Sequence, residues 1–352
     1  MASSNSMTAM EVQAYATKGR RRATAVLLVL GVSAIASLLF SCAIGSVPLS
    51  VTELFVALGE TLRGQPASLA ATLLELRITR GLAAFVTGAT LALAGVMMQA
   101  LLRNPLADPY VLGVSGGASV GALTTMLLGG ALWMVDAAAL GGAMVVSLLL
   151  FLLARRDLRG GLATDGNASS LLLTGVIVGA GCSALVTLML SIAPDNRLRG
   201  MVFWLIGDLS GTPLRAFPWI VLAGALLYAM KSARAINVVA QHAEAALTLG
   251  IKVGALRQGL FACAALLTAS AVTSAGSIGF VGLIVPHACR FALGPDHRLL
   301  LPAAALTGGT FLVLADTLAR SVIAPQQLPV GVITALIGVP VFLMQLHHIR
   351  KK

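Results

Sequence analysis

Most of this chain consists of long stretches that contain no Lys, Arg, Asp or Glu. A helix crosses the hydrocarbon core of a membrane with about 20 predominantly apolar residues, at about 1.5 Å per residue. Since hydrocarbon excludes charge, uncharged stretches of this length, repeated along one chain, predict an all-α polytopic membrane protein. Nine of them occur, at 23–52, 81–102, 109–135, 137–154, 166–194, 216–230, 258–289, 299–315 and 321–349.

The stretch 258–289 decides the number of crossings. Its 32 residues would form a helix about 48 Å long, which exceeds the bilayer core. The small residues from Thr273 to Ser277 favour a tight turn, so we expect two short passes here. Ten passes with a cytoplasmic N-terminus place 17 basic residues inside and 7 outside, whereas nine passes give 13 and 11. The positive-inside rule therefore favours ten transmembrane helices with both termini in the cytoplasm.

The composition is consistent with a single membrane domain. We expect a basic cytoplasmic extension at 1–22, followed by one ten-helix domain at 23–349. Hydrophobic residues make up 58% of the chain and charged residues 11%, too few charges for a soluble surface. The net charge of +11 lies mostly in short inner loops and ends, where topology and anionic lipid headgroups account for it. Membrane lipid is thus an expected partner, and nucleic acid is not.

The predicted spans carry few groups that could do chemistry. Asp316 lies near the outer end of a span, and His287 has no acidic or Ser partner at a recognisable spacing. Proton- or sodium-coupled carriers usually place ionisable groups near the bilayer centre. We therefore expect no catalytic residue and no metal site; a secondary transporter and an intramembrane enzyme remain alternatives. Four residues are interpreted as small packing residues, namely Cys42, Cys182, Cys263 and Cys289.

The longest predicted cytoplasmic loop, 231–257, contains a Glu-Ala-Ala-x-x-x-Gly pattern. Ala, Leu and Glu favour a short helix, and Gly250 can end it in a left-handed conformation. A short helix of this kind can insert into a groove on another protein. We expect an ATPase subunit to dock here, with contacts from Glu244, Ala245, Ala246, Leu249 and Gly250.

An ordered series of motifs extends over almost the whole chain. The longest is LLRNPLADPYVLGVSGGA at 101–118. The others are RITR at 77–80, IGFVGLIVPH at 278–287, DHR at 296–298, LADTLAR at 314–320, LPVG at 328–331 and GVP at 338–340. Together they resemble the FecCD-type permeases, the membrane subunits of ABC importers for iron–siderophores, haem and cobalamin. The motif at 77–80 is usually Arg-x-Pro-Arg in that family, so Thr79 departs from it.

The resemblance implies a compact type II ABC importer permease fold with ten helices per subunit. Two copies would form a homodimer in the bacterial inner membrane, with the transport path along the two-fold axis. Two ATP-binding cassette subunits would bind ATP and Mg²⁺, and a periplasmic binding protein would deliver the substrate. This chain would then hold no cofactor and hydrolyse nothing itself.

The resemblance also implies a docking site for the binding protein at Arg77, Arg80 and Arg320. All seven outer basic residues are arginine, whereas all five lysines lie inside. Arginine binds carboxylates with two parallel hydrogen bonds, which suits glutamates on the two lobes of a partner. The alternatives are lipid-phosphate anchors or partners within the chain, for example Glu75.

A cytoplasmic gate is implied at two inner loops. It would comprise Asn104, Leu106, Ser169 and Ser170. Asn-Pro also begins turns, and Ser at 169 or 170 could cap the helix that follows. Both roles are compatible.

The outer segment 196–211 resembles the haem-importing branch of the family. Arginines suit haem propionates, and Met and aromatic side chains suit a flat macrocycle. The alternative is an interfacial aromatic anchor with snorkelling arginines. We expect haem as the transported substrate, with an iron–siderophore or cobalamin as alternatives. The expected path residues are Arg197, Arg199, Met201, Phe203 and Trp204.

Overall fold

The computed structural model describes residues 9–64, 67–155, 158, 165–241 and 243–350. These residues form helices and connecting turns only. In chain order the α-helices are α1 (Ala9–Ala43), α2 (Val51–Leu62), α3 (Leu69–Leu102), α4 (Val114–Leu127), α5 (Leu132–Leu153), α6 (Asp165–Ile192), α7 (Asp195–Ile206), α8 (Ala216–Gln241), α9 (Ala243–Thr248), α10 (Val253–Ala275), α11 (Val281–Leu293), α12 (His297–Ser321) and α13 (Val330–Arg350). A short 3-10 helix, Pro109–Leu112, precedes α4.

Among the described residues, seven helices are long and apolar enough to cross a membrane. They are α1 from Arg21, α3, α5, α6 from Ser170, α8 to Ala240, α10 and α12. Helices α4, α11 and the first part of α13 are shorter apolar helices. The prediction of an all-helical polytopic protein is confirmed. The number of crossings and their direction stay predictions, although seven long and three short apolar helices make ten.

Helix α3 is the centre of the bundle. It packs against α1, α2, α8, α10, α11 and α12. Glycines let its backbone come close to two of these neighbours, as small residues do in membrane bundles. A Cβ added to Gly95 would lie 1.9 Å from the carbonyl oxygen of Gly282 in α11, and one added to Gly88 would lie 2.2 Å from that of Gly308 in α12.

The predicted break in the stretch 258–289 is confirmed. Helix α10 ends at Ala275 and α11 begins at Val281. In a membrane domain, the N–H and C=O groups of irregular backbone need hydrogen-bond partners within the protein. The Asp208 N–H donates to the Ala275 carbonyl (2.9 Å), and the Ile278 N–H donates to the Tyr110 hydroxyl oxygen (3.1 Å). The turn is therefore held by two segments that are distant in sequence.

Some helices extend beyond the charged residues that bound the uncharged stretches. The predicted loop 231–257 is largely helical, since α8 continues to Gln241 and α10 begins at Val253. Ala233, Ile236 and Val239 are buried along one side of α8 and extend its packing beyond the hydrophobic span. Helix α5 runs through Asp136, whose carboxylate is paired with Arg215.

Candidate transport, docking and coupling sites

The short helix predicted in the inner loop is present as α9. Gly250 follows it with a φ of +72°. The Gly250 N–H donates to the Leu247 carbonyl and the Ile251 N–H to the Ala246 carbonyl, both at 3.0 Å. These two bonds form a Schellman motif, which ends the helix as expected for a glycine in this position. Ala246 is buried and Leu249 is exposed; the side chains of Glu244 and Ala245 lie outside the described part of the structure.

Asn104 shapes the turn after α3. Its side-chain oxygen accepts the Leu106 N–H (2.9 Å), and its own N–H donates to the Gln99 carbonyl (3.2 Å). The turn expected for the Asn-Pro pair is thus present, and the Leu106 side chain is exposed beside it. Helix α6 begins at Asp165, so Ser169 and Ser170 lie inside it and do not cap it. The Ser169 side chain is outside the described residues, and the gate stays a prediction.

The segment after α3 also contacts the break between α10 and α11, through Tyr110. The Asp108 carboxylate accepts the Tyr110 N–H (2.7 Å), and burial raises the pKa of Asp108 to about 6. The Tyr110 hydroxyl in turn accepts the Ile278 N–H. Sequence reasoning missed this contact because its partners are 168 positions apart.

Arg77 bonds to the end of α1. Its Nη1 donates to the carbonyls of Cys42 (3.0 Å) and Ala43 (3.2 Å), and its Nη2 donates to that of Val47. The side chain is buried. A cation at a helix C-terminus satisfies carbonyls that have no partner within the helix. Arg77 therefore fastens α1, a helix at the edge of the bundle, to α3.

Asp316 joins the other two predicted docking arginines. Arg80 binds it through Nε (2.9 Å) and Nη2 (2.8 Å), and also donates from Nη1 to Gln327 (2.7 Å). Arg320 places its Nε 3.8 Å from the same carboxylate and donates from Nη2 to the Ser41 carbonyl. The three arginines thus lie together, as the resemblance implies, with bonds inside the chain. Their docking role stays a prediction.

A cavity of about 790 Å³ opens beside α7. It brings together four of the five predicted path residues: Arg197, Arg199, Phe203 and Trp204. Met201 is fully buried and does not line it.

The two arginines at this cavity differ in the contacts that their side chains make and in their exposure. Arg197 donates to the carbonyls of Leu127 and Met126, so it caps α4. The Arg199 guanidinium lies 5.4 Å from the centre of the Phe203 ring and is exposed. Arg199 is therefore the more available of the two for an anionic ligand.

Comparison with known proteins gives consistent matches over nearly the whole chain. The FecCD transport family matches residues 33–348. The "Vitamin B12 import system permease protein BtuC" of Shigella boydii serotype 18 is 38% identical over 330 residues, which is 92% of this chain and 95% of that protein. The protein of the same name from Escherichia coli O127:H6 is 40% identical over 274 residues, 76% of this chain and 81% of the relative.

Two solved structures resemble the fold. A metal-chelate type ABC transporter in an inward-facing conformation matches with a TM-score of 0.79 and 28% identity, over 92% of this chain and 99% of that one. PsaBC from Streptococcus pneumoniae matches with a TM-score of 0.55 and 17% identity, over 82% and 95%, and shows the fold alone.

These matches define the class as a multi-pass membrane permease of a bacterial ABC importer, a transport subunit that is not itself catalytic. The chain belongs to the FecCD transport family.

Proposed function

We propose that this chain imports a metal chelate of the corrinoid class, with cobalamin as the substrate. The observation that carries the proposal is its identity of 38% over 92% of its length with permeases named for vitamin B12 import. Haem was the expectation from the segment 196–211. That expectation is weakened because Arg197 is engaged with the end of α4, which leaves Arg199 alone to receive propionates.

Two copies of the chain would enclose the path between their α6 helices. Ser183, Thr187 and Ser191 lie four residues apart on one exposed side of α6. Ser183 and Thr187 are linked by a hydrogen bond between the Thr187 hydroxyl and the Ser183 carbonyl (2.9 Å). A weakly polar surface of this kind lets a chelate pass without holding it. Large aliphatic residues are exposed both on α1, such as Leu28 and Val32, and on other sides of α6, such as Ile177 and Leu188, and these suit lipid.

The partners would be a periplasmic binding protein, two ATP-binding cassette subunits and the second copy, all at the inner membrane. The arginine cluster supports the docking of the binding protein, because Asp316 pairs with two of its guanidinium groups, those of Arg80 and Arg320, while Arg77 bonds to uncharged backbone carbonyls. Arg77, Arg80 and Arg320 also line an outer cavity of about 440 Å³. The unbalanced positive charge fits acidic side chains of a partner. Alternating access driven at α9 would then move the substrate inwards.

The substrate is tested by uptake into proteoliposomes that contain the permease with its ATPase subunits. Binding protein loaded with cobalamin, haem or a ferric siderophore is supplied outside, and accumulation is measured with and without ATP. We expect ATP-dependent uptake of cobalamin. Uptake of haem or siderophore without cobalamin would contradict the proposal.

Arg199→Ala separates the two leading substrates in the same assay. Corrinoid side chains are mostly carboxamides, so cobalamin uptake should change by less than about threefold, as expected for loss of an uncharged contact. Haem carries two carboxylates, and a shielded charge-assisted hydrogen bond is worth roughly 1.5–3 kcal/mol, so haem uptake would fall on the order of tenfold. A tenfold loss in the uptake of the accepted substrate would indicate haem-like recognition.

The coupling role of α9 predicts the effect of Gly250→Val. The φ of +72° at Gly250 disfavours any side chain by about 1–2 kcal/mol, so the Schellman motif should open and α9 should lose its fixed end. We expect weaker co-purification of the ATPase subunits with a membrane domain that remains folded. Gly211→Val is the matched control, since Gly211 has a φ of +71° and equally open surroundings but lies on the outer side. Equal ATPase recovery from both variants would place the coupling site elsewhere.

A further inference from the structure

Helix α2 lies between two membrane spans and carries no role in the transport proposal. The Ser50 hydroxyl accepts the Glu53 N–H (3.2 Å), and the Glu53 carboxylate accepts the Ser50 N–H (2.7 Å). This reciprocal pair is a capping box, which fixes where the helix begins. The twelve residues of α2 are therefore a defined element and not an extended connection.

One side of α2 is covered by the protein. Ala57 is fully buried, and Leu54 packs beside it against Ala71 and Leu74 of α3. This small cluster is separate from the main core of the bundle. It sets the orientation of α2 about its own axis, so the directions of its other side chains are fixed as well.

A second apolar side of α2 is uncovered. Val51, Phe55 and Leu58 follow one another at the spacing of a helix face and are 70%, 72% and 42% exposed. A third side carries Glu53 and Glu60, and the exposed Val56 lies beside them. The Glu60 carboxylate accepts the N–H groups of Ala67 (3.1 Å) and Ser68 (2.9 Å). Viewed along its axis, α2 thus has three sides: one packed against the protein, one apolar and uncovered, and one polar.

We propose that the open side of α2 lies in the membrane–water interface and binds phospholipid. The strip formed by Val51, Phe55 and Leu58 contains no charge, and an aromatic residue at its centre suits the interface. Only the short connection 44–50 separates α2 from the end of α1, where Phe40 and Ile44 are exposed as well. Because α1 is long and apolar enough to cross a membrane, an apolar strip this close to its end meets lipid first.

This placement gives α2 the role of a depth anchor for the outer end of the bundle. The segment between α1 and α2 is tied to α3 by the bond from Arg77 to the Val47 carbonyl. The height of α2 in the interface therefore sets the height of the arginine cluster above the membrane. An anchor on lipid, rather than on a protein partner, also leaves the polar side of the helix facing water.

The test replaces Phe55 with the photoreactive amino acid p-benzoylphenylalanine, which retains an aromatic ring at an exposed position. The full chain is reconstituted in phosphatidylethanolamine–phosphatidylglycerol nanodiscs with its ATPase subunits and binding protein, and is then irradiated. We expect the peptide that contains position 55 to gain the mass of one phospholipid. The same substitution at Glu60, on the polar side, is the control and should give no lipid adduct.

Three other outcomes would overturn the proposal. A crosslink from position 55 to the binding protein would make the strip a docking surface. A crosslink to a second copy would make it part of a dimer interface. Equal lipid adducts at positions 55 and 60, or none at either, would mean that α2 does not present this strip to the bilayer.

Discussion

Asp316→Asn should destabilise the helix bundle by about 3–5 kcal/mol, the range found when one partner of a buried ion pair is removed. Asp316 is 1% exposed and is shared by Arg80 and Arg320. An amide cannot neutralise either guanidinium group, so Arg320, which is also buried, would keep an uncompensated charge. Thermal unfolding of the purified protein in nanodiscs, followed by circular dichroism, measures the loss.

Asp136→Asn is the matched control for this prediction. Asp136 also pairs with an arginine, but the side chains of Asp136 and Arg215 are 25% and 31% exposed. Pairs of this exposure contribute about 0–1 kcal/mol, since water and salt screen them. If both variants unfolded at the same temperature, the carboxylate of Asp316 would not hold the arginine cluster together.

The sequence was sufficient for the class of protein and for much of the helix pattern. Hydrocarbon excludes charge at every position of a membrane span, so each span appears in the sequence as a long stretch without charged residues. The break between α10 and α11 and the end of α9 were also predictable. In both places a glycine adopts a positive φ, Gly276 in the first and Gly250 in the second, and such positions favour glycine for local reasons.

Contacts between distant segments could not be predicted from the sequence. Arg80 and Asp316 are 236 positions apart, and Arg197 is 70 positions from the Leu127 carbonyl that it binds. Sequence reasoning favoured external partners for these arginines and offered only Glu75 as an example of an internal one, because it could identify neither Asp316 nor the distant carbonyls. For the same reason, it overestimated how many arginines are free to bind a substrate at the outer cavity.

Helix α2 was missed for a different reason. Glu53 and Glu60 interrupt its apolar residues, so a search for uncharged stretches passes over it. The spacing of Val51, Phe55 and Leu58 is nevertheless the period of a helix face. A search for periodicity within the charged connections, as well as for uncharged spans, would have found it.

Gly95→Val is expected to have the other large effect, with a loss of stability at or above roughly 3 kcal/mol, the upper end of the cost of overpacking. A Cβ at Gly95 would lie 1.9 Å from the carbonyl oxygen of Gly282, 2.7 Å from its carbonyl carbon and 2.9 Å from its Cα. All three are backbone atoms, so no side-chain rotation can relieve the overlap. Helices α3 and α11 would have to move apart.

This separation should also abolish transport, because α11 begins at the turn that carries Ile278 and its bond to Tyr110. Gly224→Val in α8 is the control, since a Cβ at Gly224 meets nothing within 4 Å. The yield of monodisperse protein, the unfolding temperature and ATP-dependent uptake would be compared for the two variants. We expect the Gly224 variant to match the unmodified protein in all three. Equal behaviour of the Gly95 variant would show that α3 and α11 are not packed backbone to backbone at this point.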